Sequence, residues 1–363
     1  MKSLKVMSGL LCLLVTALIT AQAGYAREMY GLYQAEVPVK SQDRDTRLSA
    51  YTEALAQVVV KVTGDRRVPQ LPNMAKTMAS AQNWVQQYRY QELPEPGALA
   101  LKDQGYIRLL VVQFDETAVN QALVDASAPL WGKVRPDLLV LLAVEEGTSH
   151  YLLATNSATD LSTSLDAAAR RRGLPLLLPR IEDVDQKRIL FADVWGDFSQ
   201  PIMDASKRYG ANAVLAGRIS RVDGSWQSRW SLYQGEDVQR WQDNDAQRDG
   251  VVAMGIDGAA DRLSQQYVQL LTTGAGGVVA VTVTGVSTVA AYARTMQYLS
   301  SLDVVANVQL IKVQGSEALF HLEVRSDVSA IDRAIALGGT LRRTTATPRL
   351  MEDNQTLVYQ LLP

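Results

Sequence analysis

The sequence predicts a mixed α/β and α+β protein built from three small domains in tandem, the last ferredoxin-like. Three observations carry this expectation. The chain has 363 residues, and single hydrophobic cores stop growing near about 250–300. Continuous apolar runs such as Asp137–Val144 and Ala213–Ile219 alternate with helical patterns, as in an α/β layer. The last stretch reads strand, helix, strand, strand, helix, strand, the order of a ferredoxin-like unit.

Residues 1–26 read as a secretory signal peptide. Lys2 and Lys5 supply the positive start, Leu10 to Ile19 the apolar core, and small residues the exit. Cleavage is expected after Ala26, with Ala23 as the second choice. The apolar core is shorter than the roughly 20 residues needed to span a bilayer. Cys12 follows Leu11 inside the apolar run, which is the wrong setting for lipidation. It is the one cysteine, so the mature chain has none and suits an oxidising compartment. Removing this segment takes the net charge from −2 to −4.

The N-terminal domain is expected over 27–130. Tyr33–Val39 alternates like a strand. Ser41, Asp43 and Asp45 are N-cap candidates for a helix that carries Leu48, Leu55, Val58, Val59 and Val62 at helical spacing and stops at Gly64. A second helix is expected over Met74–Gln87, a loop over Leu93–Gly97, a strand over Tyr106–Phe114 and a helix over Glu116–Ala126.

The middle domain is expected over 131–273, with an antiparallel extension. Asp137–Val144 is a strand buried on both faces. Leu161–Arg172 is a helix ended by Gly173, Leu174–Leu178 a short strand, and Gln200–Tyr209 a helix closed by Gly210. Ala213–Ile219, Trp226–Tyr233 and Val238–Asp243 are strands, the last two around a Gly235 turn. A helix over Gly258–Leu271 finishes the unit. Thr272–Gly277 is a linker. Its glycine pattern follows a helix and precedes a strand, the reverse of a dinucleotide loop.

The C-terminal domain is expected over 277–363. Val279–Thr284, Val305–Val313, Ala318–Arg325 and Thr340–Arg343 are its strands. Val289–Leu299 and Ser329–Ala336 are its helices, and Thr356–Leu362 adds an edge strand.

Composition excludes several chemistries. With 36 basic and 38 acidic residues the chain lacks the basic surplus of a dedicated nucleic-acid binder. One cysteine excludes a disulfide framework and thiolate metal sites, and two histidines, His150 and His321, exclude a histidine-rich centre. No Gly-x-Ser-x-Gly elbow occurs. No catalytic, metal or cofactor-binding residue is assigned, and no cofactor is expected. The carboxylates Glu145, Glu146, Asp183, Asp185, Asp193, Asp197, Asp243 and Asp245 read first as caps and solvated groups. Two of them acting together on a glycan are the alternative. The run Ala169–Arg172 places cations at a helix C-terminus, where they offset the dipole.

Five of the six tryptophans fall between positions 131 and 241. Trp226 and Trp230 lie four apart on one strand and so face the same side. The favoured reading is core packing. The functional alternative is an interaction surface made by Trp195, Trp226 and Trp230.

The order of several motifs resembles the gammaproteobacterial family called domain of unknown function 2066. These are Val60-Lys-Val-Thr-Gly64, Val85-Gln-Gln-Tyr-Arg-Tyr90, Leu130-Trp-Gly132, Arg135-Pro136, Arg172-Gly-Leu-Pro175, Asp193-Val-Trp-Gly196 and Ala205-Ser-Lys-Arg-Tyr-Gly-Ala211. The resemblance implies a secreted bacterial envelope protein and carries over no catalytic residue. Tyr209–Ile219 also looks like a segment of the partner-binding α/β domains of envelope proteins, such as the amino-terminal domain of the Tol–Pal translocation protein. The leading expectation is a periplasmic, non-enzymatic scaffold or accessory protein. It would dock envelope proteins, touch no nucleic acid, and have no integral membrane segment in the mature chain. The second is a glycan- or small-ligand-binding protein with its site between the first two domains. The third is a carboxylate-dependent hydrolase.

Overall fold

The computed structural model describes residues 27–29, 31–93, 98–155, 160–180, 189–267, 269–270, 277–302, 304–325, 331–332, 334–335, 340–344, 348–351 and 356–362. The expected signal segment, the loop at 94–97, Asp183, Asp185, Leu271 and residues 272–276 of the expected linker lie outside them. The fold is mixed α and β, with three separate larger sheets.

The first sheet contains β1 (Gln34–Val39), β2 (Val85–Gln91) and β3 (Arg108–Phe114), all antiparallel, with β3 in the centre. Helix α1 (Arg44–Thr63) lies across it and buries Ala54, Leu55, Val58, Val59 and Val62. Of the three cap candidates, Asp43 caps this helix: its carboxylate accepts from the Thr46 amide at 2.8 Å. Gly64 ends it at φ 72°. Asp115 caps α2 (Glu116–Asp125) in the same way.

The expected helix over Met74–Gln87 is corrected. Short helical turns occupy Pro72–Trp84, and the chain then extends into β2. The aromatic, mostly exposed sequence of β2 suits an edge strand, and this weak burial hid it from the apolar pattern.

The middle sheet contains β4 (Leu138–Glu146), β5 (Ser149–Leu152), β6 (Leu176–Leu177), β7 (Ala213–Val222), β8 (Ser225–Gln234) and β9 (Asp237–Asp245). Its order is β9–β8–β7–β4–β5, with β6 also on β4. β4, β6 and β7 are parallel, and β8 and β9 are the antiparallel extension. Helices α3 (Asp160–Arg172) and α6 (Arg248–Tyr267) cover one face. Helices α4 (Phe191–Trp195) and α5 (Ser199–Ser206) cover part of the other. Strand β5 and helix α4 were not expected; each is one short turn or ladder, below the length at which periodicity speaks.

Helix α6 begins ten residues before the expected start. Each of its glycines costs about 1 kcal/mol against alanine in a helix. They are kept for space. The Trp230 ring is wedged between β7 and α6. A Cβ on Gly217 would stand 2.1 Å from it, and one on Gly255 2.2 Å. Trp230 is 1% exposed. At about 25 cal/mol per Å2, a ring of roughly 200 Å2 contributes on the order of 5 kcal/mol.

The third sheet contains β10 (Val278–Thr284), β11 (Val305–Gln314), β12 (Glu317–Val324), β13 (Leu341–Arg343) and β14 (Leu357–Leu361), in the order β11–β12–β10–β14–β13. Helix α7 (Val289–Ser301) packs on it. The first three strands follow the ferredoxin-like pattern. The fourth place differs: β14, expected at the edge, lies beside β10 and parallel to it, and β13 takes the edge. The reason is apolar alternation. Leu357, Tyr359 and Leu361 are buried, whereas Arg342 and Arg343 are exposed. The expected helix over Ser329–Ala336 is described only at 331–332 and 334–335, which are helical.

Gly255→Ala tests the tryptophan slot. In an open helix it would add about 1 kcal/mol; here overpacking is expected to remove about 1–3 kcal/mol in urea unfolding. A gain in stability would contradict the slot.

Candidate functional site

Two places concentrate unusual chemistry. The first is the junction between the first two sheets. Arg135 is 0% exposed. Its five N–H donors meet five backbone carbonyls: Gly132 (3.0 Å), Trp131 (2.9 Å), Arg172 (3.2 Å), Gly173 (2.8 Å) and Lys61 (2.6 Å). Lys61 lies at the C-terminal end of α1, and Arg172 and Gly173 at that of α3. Two helix C-termini therefore point their negative ends at one guanidinium, which also lies 4.0 Å from the centre of the Trp131 ring.

Arg172, 1% exposed, extends the junction. It donates to the Gly64 carbonyl at 2.9 Å, to Asp257 at 3.1 Å and to Asp261 at 2.6 Å. Arg66 reaches the same two carboxylates from the outside. The Trp131 amide donates to the Val62 carbonyl at 2.7 Å, and the Ser264 hydroxyl to that of Gly64. Gly64 and Gly173 both have positive φ, and a Cβ on either would fall within 2.8 Å of Trp131 or Arg135 respectively. Lys61 is held down to about 8, chiefly by burial, with Arg135 and Arg170 adding like charge. Among the described residues this junction is filled by the side chains of Trp131, Arg135, Arg172 and Ser264.

The second place is the open face of the middle sheet. Beyond α4 the face turned away from α3 and α6 carries Arg218 and Ser220 on β7, Gln227, Arg229 and Ser231 on β8, and Arg240, Gln242 and Asn244 on β9. The cross-strand register places them on one side. With Val194–Asp197 as a wall, they line a cleft of about 630 Å3 and an adjoining depression of about 470 Å3.

Asp197 organises one corner. It sits at φ 55° and accepts from Tyr233 (2.5 Å), Arg240 (2.7 Å) and Ser231 (2.8 Å). Burial alone would raise its pKa, but these three hydrogen bonds outweigh it and hold the carboxyl below the usual range. Arg218 donates to the Trp195 carbonyl at 2.6 Å. Burial, and then the like charge of Arg229, push its pKa down.

The expected tryptophan surface is corrected in part. Trp226 is 6% and Trp230 1% exposed, both on the face covered by α6, so neither presents a ring to a partner. Trp195 and the buried Trp230 both line the cleft, and Trp195 stacks on Phe191 with centroids 5.2 Å apart. Glu145 and Glu146 pair with His150 and Arg248. Asp193 and Asp245 accept from the backbone amides of Leu190 and Gln247. Asp243 faces Arg262 and is raised chiefly by burial. Among the described residues, no group of three or more His, Cys, Asp or Glu is placed to hold a metal, and no helix is long and apolar enough to cross a membrane. Sequence reasoning missed Arg135, Arg218, Arg229 and Arg240. Their positions in apolar or alternating strands were the available signal.

A protein-family model described as a domain of unknown function (DUF8605) matches residues 26–132. The likeness covers the first sheet and ends within the junction, and it carries no link to domain of unknown function 2066. No curated protein matches the chain, and no solved structure does.

Arg135→Met tests the junction. It would leave five carbonyls at a dry seam without their donor, and is expected to cost about 3–5 kcal/mol in denaturant unfolding. A loss below about 1 kcal/mol would contradict the account.

Proposed function

We propose that this protein is a non-enzymatic scaffold or accessory protein of a bacterial envelope assembly or secretion process, exported to the periplasm and acting by protein–protein docking. One observation carries the reading. Each of the three sheets ends, among the described residues, on an unpaired strand of seven to ten residues: β2, β9 and β11. Open edges offer unpaired backbone groups to an added strand. On β11, Ile311 and Val313 are 42% and 50% exposed and offer apolar side chains beside that edge. The packed junction fixes the first two edges relative to each other, which suits a platform that holds partners in register.

Export rests on the character of residues 1–26, and the envelope setting on the motif order that resembles domain of unknown function 2066. The docking reading is tested with photo-crosslinking residues at Gln87, Gln239 and Gln309 and a control at Glu53 on the outer face of α1. In intact cells, at least one edge position is expected to give a crosslinked product of discrete mass that the control lacks. Identical patterns from all four positions would overturn it.

A further inference from the structure

We propose that the open face of the middle sheet is a binding site for an acidic sugar, a saccharide carrying a carboxylate or phosphate, held by Arg218 and Arg229. Register makes these two arginines direct cross-strand partners. Like charges in that relation are destabilising, so a compensating anion is expected between them. The protein does not supply it among the described residues. Asp197, the acid that lines this cleft, is committed to Tyr233, Ser231 and Arg240, and Asp243, at the edge of the adjoining depression, lies on the other face of the sheet by register and faces Arg262. Arg229 is exposed, and its guanidinium makes no hydrogen bond or ion pair among the described residues.

Arg218 is the more ordered of the two. Its bond to the Trp195 carbonyl, and its guanidinium 5.3 Å from the Trp195 ring centre, leave its remaining N–H groups for the cleft. Planar guanidinium forks suit the paired oxygens of carboxylates and phosphates.

The rest of the ligand is read from the surroundings. Next to the arginines stand Ser220, Gln227, Gln242 and Asn244, hydroxyls and amides that both donate and accept. An array of such groups matches a chain of sugar hydroxyls better than it matches an apolar body. The depression that these groups line, about 470 Å3, and the adjoining cleft of about 630 Å3, which shares Arg218, Arg229 and Gln242, both lie within the range of about 300–1,000 Å3 for small-ligand sites. The Asp197 corner, fixed by three side chains at a left-handed backbone angle, keeps Arg240 on its carboxylate and the cleft floor rigid.

The test uses the full mature chain and calorimetric titration with glucuronate and glucose 6-phosphate, with glucose and inorganic phosphate as controls. Both charged sugars are expected to bind saturably and to compete with each other, and glucose not to bind. Arg229→Gln is expected to weaken them at least tenfold, and Arg229→Lys by less, since it keeps the charge and loses the fork. Because Arg229 faces a like charge, Arg229→Gln should leave the Tm of the unliganded protein unchanged or higher. Three results would each overturn the proposal: no saturable binding of either charged sugar; equal affinity in Arg229→Gln; or inorganic phosphate binding as tightly as glucose 6-phosphate, an adventitious anion only. A drop in Tm for Arg229→Gln would assign the residue a structural role and overturn it as well.

Discussion

Arg135 and Arg172 bring two full positive charges into a seam that is 0% and 1% exposed at their side chains. Taking such a charge from water costs several kcal/mol even after relaxation. The protein offsets it with geometry. Each helix C-terminus carries roughly half a negative charge, and α1 and α3 both end at Arg135, so the two ends together supply about one. Arg172 is balanced differently, by Asp257 and Asp261 of α6 and by the carbonyl that closes α1. Three helices from two sheets therefore terminate on, or lean against, the same pair of cations. None of the three can shift without exposing a buried charge or orphaning a carbonyl.

The middle sheet inherits its asymmetry from this seam. Helices α3 and α6 are pinned over one face, and that face is dry, with Trp230 wedged against Gly217 and Gly255. The opposite face has only the short helices α4 and α5 to cover it. Where they end, β7, β8 and β9 run on with mostly polar side chains, and the cleft follows. A buried aromatic face and an open arginine face on the same three strands are two sides of one register.

The elements whose residues declare their own surroundings were legible in the sequence. The runs at β4 and β7, the cap candidate Asp43, and the stops at Gly64, Gly173 and Gly210 all occur where local chemistry places them. What was not legible depends on partners distant in the chain. The motifs around Gly64, Trp131, Arg135 and Arg172 read as separate local features, yet they meet in one seam. Arg172 read as a cation settling its own helix end; its guanidinium instead reaches Gly64, while Arg135 settles the end of α3. The first turns of helix α6 carry Gly250, Gly255 and Gly258, poor helix formers whose value lies in the tryptophans and carboxylate packed against them. The arginine cleft needed the pairing of β7, β8 and β9, which no single strand reveals.

The central claim is that the buried arginine seam makes the first two sheets and their helices one cooperative body. Native-state hydrogen exchange in rising denaturant tests it most directly. The slowest amides of α1, at Val58 and Val59, and those of β4, at Val140 and Leu141, are expected to open with one shared free energy and one shared denaturant dependence. Two separate opening free energies, with β4 still protected after α1 has exchanged, would contradict it.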